Sequence, residues 1–238
     1  MITMWCGLIN LFMEEIMIKE KFQVKDPGSA LTHCIACILS ILAAPPLLIK
    51  GWEQGLTHFI SLAIFIFSMI LLYFASTLYH TLDISDKINQ RLRKFDHMAI
   101  YILIAGTYTP ICLIALDGFI GKLLLALIWL LAIIGIIITA FWVNGPKWVS
   151  SIVYIAMGWS CIIAFKPIMD VLSRPAFLWL LIGGIIYTIG GVIYALKIPV
   201  FNNRFKHFGG HELFHIFVMG GSFCHYVLIF KYISFMPL

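Results

Sequence analysis

Of 238 residues, 62% are hydrophobic and 11% are charged, a balance that excludes a water-soluble globule of this size and makes the chain a polytopic membrane protein. The formal net charge of +5 does not point to nucleic acid as a partner, because the Lys and Arg residues sit in short loops between apolar runs and serve to orient the chain in a bilayer. The six cysteines, Cys6, Cys34, Cys37, Cys112, Cys161 and Cys224, fall mostly inside apolar runs, which speaks against a disulfide framework. Cys34 and Cys37 form a C-x-x-C, but on the face of an expected span without βαβ context, so no redox or metal role is assigned to them.

Residues 1–25 lack a basic start before their apolar part and carry Glu14 and Glu15, which is not the pattern of a signal peptide. They are expected to form an N-terminal cytoplasmic extension, with Met13 and Met17 as alternative starts if the gene is read too long. Asp26-Pro27-Gly28-Ser29 is a turn-rich entry to a membrane domain over 26–238. Apolar runs follow at 30–49, 57–80, 97–116, 121–142, 148–167, 175–196 and 210–233. Each approaches the roughly 20 residues that cross about 30 Å of hydrocarbon. Backbone groups in lipid must be satisfied internally, so the expected fold is all-α, a seven-transmembrane helix bundle. Asn144-Gly145-Pro146-Lys147 separates the fourth and fifth spans, and the pairs Gly183-Gly184, Gly190-Gly191 and Gly220-Gly221 suit close helix contacts.

Basic residues settle an expected orientation. One side holds Lys19, Lys21, Lys25, Lys87, Arg91, Arg93, Lys94, Lys147, Lys197, Arg204 and Lys206, the other Lys50, Lys122, Lys166, Arg174 and Lys231. Positive loops stay in the cytoplasm, which puts the amino terminus inside and, after seven crossings, the carboxyl terminus outside.

Polar residues inside these runs point to a site. The last run opens with His211-Glu212-Leu213-Phe214-His215, and positions i and i+4 share one helix face, so both imidazoles can close on one ion. The second run ends with Ser76 and His80 on one face at the same expected depth, and the third begins there with Asp96. Ionisable groups in a bilayer are costly, so such a cluster is a functional hypothesis. Three imidazoles with an open position are the ligand set of a catalytic zinc site, and a neighbouring carboxylate can take the proton of a water acidified there. Asp96 fits that role, against the plainer one of a helix cap. Ser76 either donates to an oxyanion or hydrogen-bonds within the bundle. His33 either packs behind the metal ligands or contacts a lipid headgroup, His97 points away from Asp96 by about 100°, and His58, His207 and His225 are interfacial or bundle polar residues.

His211 to His215 is also a literal H-E-x-x-H, which with Leu116-Asp117-Gly118 suggests an intramembrane metalloprotease. A whole span of about 1.5 Å per residue separates Asp96 from Asp117, so Asp117 sits at the far face and cannot share the ion. Glu212 remains a possible base or a first-turn acid.

The stretches Asp26 to His33 (DPGSALTH), Ala75 to His80 (ASTLYH), Lys94 to Pro110 (KFDHMAIYILIAGTYTP), Ala156 to Trp159 (AMGW) and His211 to His225 (HELFHIFVMGGSFCH) resemble the hemolysin III family, bacterial relatives of the progestin and adipoQ receptors. The resemblance covers about residues 26–235 and places these among seven-span membrane hydrolases that include alkaline ceramidases. It implies a Zn2+ ion on His80, His211 and His215, a water-positioning Asp96, the family serine at Ser76, and a multi-pass protein of the bacterial plasma membrane. The expected function is zinc-dependent hydrolysis of a lipid amide or ester at the cytoplasmic leaflet, with membrane lipid as partner. The alternative is a membrane-active hemolysin, pore-forming or cytolytic, or a receptor-like protein whose zinc is structural.

Overall fold

The structure, a computed structural model, describes residues 24–196 and 209–238, and every regular element among them is helical. Residues 1–23, with Lys19, Lys21, Met13 and Met17, and residues 197–208, with Lys197, Arg204, Lys206 and His207, lie outside the described residues. Helix α1 runs Pro27–Gln54, α2 Leu56–Thr81 and α3 Asp86–Pro110, the last continued by a π-helical turn over Ile111–Ala115. Helix α4 is Phe119–Phe141 and α5 Lys147–Gly158, followed by a 3₁₀ segment over Trp159–Ala164 and a short α6 over Phe165–Val171. Helix α7 is Arg174–Leu196 and α8 Gly210–Leu228, again continued by a π turn over Ile229–Ile233. These elements make seven helical stretches long and apolar enough to cross a membrane, as the run lengths predict.

Local chemistry sets the ends. Pro27 opens α1, where a missing N–H costs nothing and its fixed φ suits a helix. Gly55 ends α1 at φ 111°, a region that side chains other than hydrogen rarely enter, and so turns the chain directly into α2. Ser85 caps α3 by accepting from the Ile88 N–H at 3.4 Å. That cap starts α3 eleven residues before the apolar run begins at 97, because the stretch Asp86 to Lys94, polar but for Ile88 and Leu92, is helix-compatible yet too polar for hydropathy to count.

Antiparallel neighbours α1, α2 and α3 pack side by side, and α7 packs along α8. At one end of the bundle the Asp26 N–H donates to the His80 carbonyl at 2.9 Å. At the other, Lys50 Nζ donates to the Phe230 carbonyl at 3.1 Å and His58 Nε2 to the Met236 carbonyl at 2.9 Å. The core holds Leu47, Leu62, Phe65, Ile66, Ile128 and Leu228, all fully buried, while Phe119 and Phe141 are exposed as lipid-facing residues are.

The fifth span is one run in sequence and a broken helix in three dimensions. Tyr108 repairs the break: its hydroxyl donates to the Gly158 carbonyl at 2.6 Å and accepts from the Cys161 N–H at 2.9 Å. Backbone groups released inside a membrane need such partners. The five cysteines among the described residues are free thiols.

Of each glycine pair, one member makes the close approach. A Cβ on Gly221 falls 2.6 Å from the Tyr187 ring and one on Gly190 falls 2.6 Å from Phe217 Cβ, whereas one on Gly184 meets nothing within 4 Å among the described residues. Gly221→Ala is therefore expected to destabilise the α7–α8 contact by about 1–3 kcal/mol. Gly184→Ala should be neutral or stabilising by up to about 1 kcal/mol, through helix propensity alone. Thermal unfolding of the two variants in detergent checks this, and equal midpoints would contradict the packing argument.

Candidate metal centre

Helix α2 delivers His80 from its last turn, and α8 delivers His211 and His215 from its first two turns. One ring nitrogen from each of these three residues lies within 4.8 Å of the others. His80 Nε2 and His211 Nε2 are 3.3 Å apart, the edge of a tetrahedron whose centre is about 2.0–2.1 Å from each nitrogen, the usual zinc–imidazole distance. The donor set and the His80–His211 separation thus fit a zinc ion.

The opposite ring nitrogens are held from outside. His80 Nδ1 donates to Asp26 Oδ2 at 2.9 Å, and His215 Nδ1 donates to Thr32 Oγ1 at 3.3 Å. Thr32 is free to accept because its own hydroxyl hydrogen goes to the Ser29 carbonyl at 2.9 Å or the Gly28 carbonyl at 3.1 Å. Both imidazoles are thereby set with Nε2 as the lone-pair nitrogen. Sequence reasoning assigned no role to Asp26 or Thr32; the only signal was their place in the DPGSALTH stretch, which hydropathy reads as a turn and the start of a span.

His33 stacks on His215, with ring centroids 3.6 Å apart and planes 11° from parallel, and meets the edge of Tyr73 at 5.0 Å. It is buried, which removes the headgroup-contact role, and neither ring nitrogen has a hydrogen-bond partner among the described residues. Ser76 is buried as well, and its Oγ likewise has no partner there. Asp96 is buried ten residues into α3, so it caps nothing; the cap is Ser85. The neighbouring His97 gives its Nδ1 hydrogen to the Arg93 carbonyl at 2.9 Å and stands 3.5 Å from Asp96 Oδ2.

Glu212 is fully engaged. Its Oε1 accepts from Ser29 Oγ at 2.6 Å and its Oε2 from the Gly209 N–H at 2.8 Å. This side chain closes the start of α8 and ties it to α1, which resolves the H-E-x-x-H ambiguity in favour of a first-turn acid. Asp117 is exposed in the turn between α3 and α4, a helix length from the histidines.

His33, Ser76, Asp96, His211 and His215 all line one cavity of about 460 Å³, which continues between the helices to His225. Its walls are mostly Leu, Ile, Phe and Tyr, among them Leu103, Ile111, Phe165 and Phe177. At the far end His225 Nε2 donates to the Leu180 carbonyl at 3.3 Å, a bundle contact as its position in the sequence suggests.

Among the described residues, seven apolar helices hold at one end a histidine triad, with His80 and His215 buried and His211 half-buried, which defines a multi-pass membrane protein with a candidate metal centre. A family model described as Haemolysin-III related matches residues 22–226. The chain is similar to "Hemolysin-3" of Bacillus cereus, 38% identical over 221 residues that cover 92% of this chain and 97% of that protein. It is similar too to the "Hemolysin-3 homolog" of Bacillus subtilis, 39% identical over 218 residues, 91% of this chain and 98% of the other. A more distant likeness is to the "Adiponectin receptor protein" of Drosophila melanogaster, 28% identical over 87% of this chain and 51% of that one. The chain belongs to the haemolysin-III-related family, and its bacterial relatives mark it as a multi-pass bacterial membrane protein.

Proposed function

We propose that this protein is a zinc-dependent hydrolase that cleaves a lipid amide or ester at the cytoplasmic leaflet. The observation that carries the reading is the histidine triad, two of whose members, His211 and His215, line an apolar cavity that Asp96 and Ser76 line as well. His80, His211 and His215 hold the ion, which when bound supplies a Lewis acid and lowers the pKa of water. Asp96 takes the proton of the attacking water on its carboxylate and passes it to the leaving nitrogen or oxygen. The Ser76 hydroxyl, buried without a partner among the described residues, donates to the oxygen of the carbonyl as charge develops there. The Leu, Ile and Phe walls accept an acyl chain and keep bulk water from the reacting centre. The cytoplasmic side follows from the excess of Lys and Arg in the loops at the histidine end.

The test is turnover of a panel of N-acyl and ester lipids by the purified protein in detergent, with fatty-acid release followed by mass spectrometry. Release is expected from the zinc-loaded protein, a fall of at least about 100-fold on chelation, and recovery when zinc is returned. Release that is unaffected by chelation, or absent from the loaded protein across the panel, would sink the proposal. The name of the Bacillus relatives favours a second reading, membrane lysis with a structural zinc. Against a built-in pore stand the apolar walls of the cavity, since ion passage needs polar groups along the whole path. Dye leakage from protein-loaded vesicles that survives chelation is the result that would favour lysis.

A further inference from the structure

We infer that Asp26 is a positioning residue for the metal, setting zinc affinity by orienting and polarising His80, and that the entry to helix α1 acts as the outer cradle of the whole site. The inference rests on the zinc centre of the proposed function, though not on the hydrolytic reaction.

One eight-residue stretch reaches every part of the triad without supplying a ligand. Asp26 accepts from His80 Nδ1, Thr32 accepts from His215 Nδ1, Ser29 donates to the acid that closes the helix carrying His211, and His33 lies flat against His215. Asp26 is held twice to the end of α2, through its carboxylate and through its backbone N–H to the His80 carbonyl at 2.9 Å. Lys25 follows the same path, its N–H facing the Thr81 carbonyl at 3.4 Å, while its ammonium sits over the Tyr79 ring 3.8 Å from the centroid. The cation beside Asp26 thus rests on an aromatic face, and the ion-pair partner of Asp26 among the described residues is His80.

Two consequences distinguish this carboxylate from a neutral acceptor. His80 is 2% exposed, so rotation of its ring or a switch of tautomer would bury an unpaired N–H, at a cost of about 1–3 kcal/mol. A negative charge on Nδ1–H also makes the opposite nitrogen a stronger donor to a cation, an effect that an amide oxygen in the same place provides only in part. Asp26 keeps a side chain 43% exposed, so it meets solvent at the mouth of the site while its partner stays inside.

The experiment uses the full chain in detergent, stripped of metal and titrated with zinc against a chromophoric chelator, and with cobalt as a spectroscopic probe. Asp26→Ala should weaken zinc binding by about 10- to 100-fold, Asp26→Asn by a smaller factor, and the cobalt ligand-field bands should shift in both. Thermal unfolding of the stripped Asp26→Asn protein, whose amide oxygen still accepts from His80 Nδ1, should be close to wild type, which separates ligand tuning from a general staple. Zinc affinity within threefold of wild type and an unchanged cobalt spectrum in both variants would overturn the inference. Lower stability of the stripped variants with unchanged affinity would do the same, making Asp26 a staple only. Failure of the wild-type protein to bind zinc would instead overturn the metal centre itself.

Discussion

His215→Ala should strip the protein of its ion. The side chain is one of three imidazoles that converge from two helices, and removing it leaves two ligands and a buried gap beside His33. Loss of a hydrogen-bond partner outside a metal site already costs about 10- to 100-fold in affinity, so loss of a direct ligand should exceed about 100-fold. Metal analysis is expected to find close to one zinc ion per chain in the purified wild type and almost none in the variant, and lipid turnover should fall with it. His225→Ala is the matched control: it also removes a buried imidazole from α8, but at the far end of the cavity, and should leave zinc content intact. A His215→Ala protein that retains its zinc would remove the triad as the metal centre.

Asp96→Asn should separate holding the metal from using it. The substitution keeps volume and hydrogen-bonding shape but removes the basic oxygen, and Asp96 is not among the three residues whose ligand atoms cluster. Zinc affinity is expected to stay within about threefold of wild type while turnover drops by about 10²- to 10⁴-fold, the range for losing a general acid or base. Zinc-loaded Asp96→Asn with normal turnover would refute the proton-transfer role. Loss of zinc together with activity would move Asp96 into the metal's own ligand set.

The spans could be read from the chain because lipid leaves no alternative to helices for twenty-residue apolar runs, and the described residues form seven. Where hydropathy stops being the governing force, the reading lost its edges. Helix α3 begins at Asp86 because a serine cap and helix-compatible polar residues extend it out of the apolar layer. The break at Trp159–Ala164 was not legible because its residues are as apolar as their neighbours; what permits it is a hydroxyl about fifty residues away, on Tyr108. The candidate site divides the same way. His80, His211, His215, Ser76 and Asp96 are recognisable as polar groups at matched depth in apolar runs, where each is costly. Asp26 and Thr32 sit where polar residues are ordinary, so their contact with the imidazoles emerges only when α1 is packed against α2 and α8. Glu212 shows the converse: a pattern match suggests chemistry, and two short hydrogen bonds show both of its oxygens engaged in closing a helix.

The triad couples residues 131 positions apart, and the serine–glutamate link joins residues 183 positions apart. During synthesis His80 leaves the ribosome long before its partners exist, so no ion can be gripped until the final helix has entered the bilayer. If the triad holds zinc as proposed, capture of the ion is in that sense a completion signal, available solely to a chain whose last crossing has returned to dock beside its first. A product cut short before that crossing has nothing to close the ring.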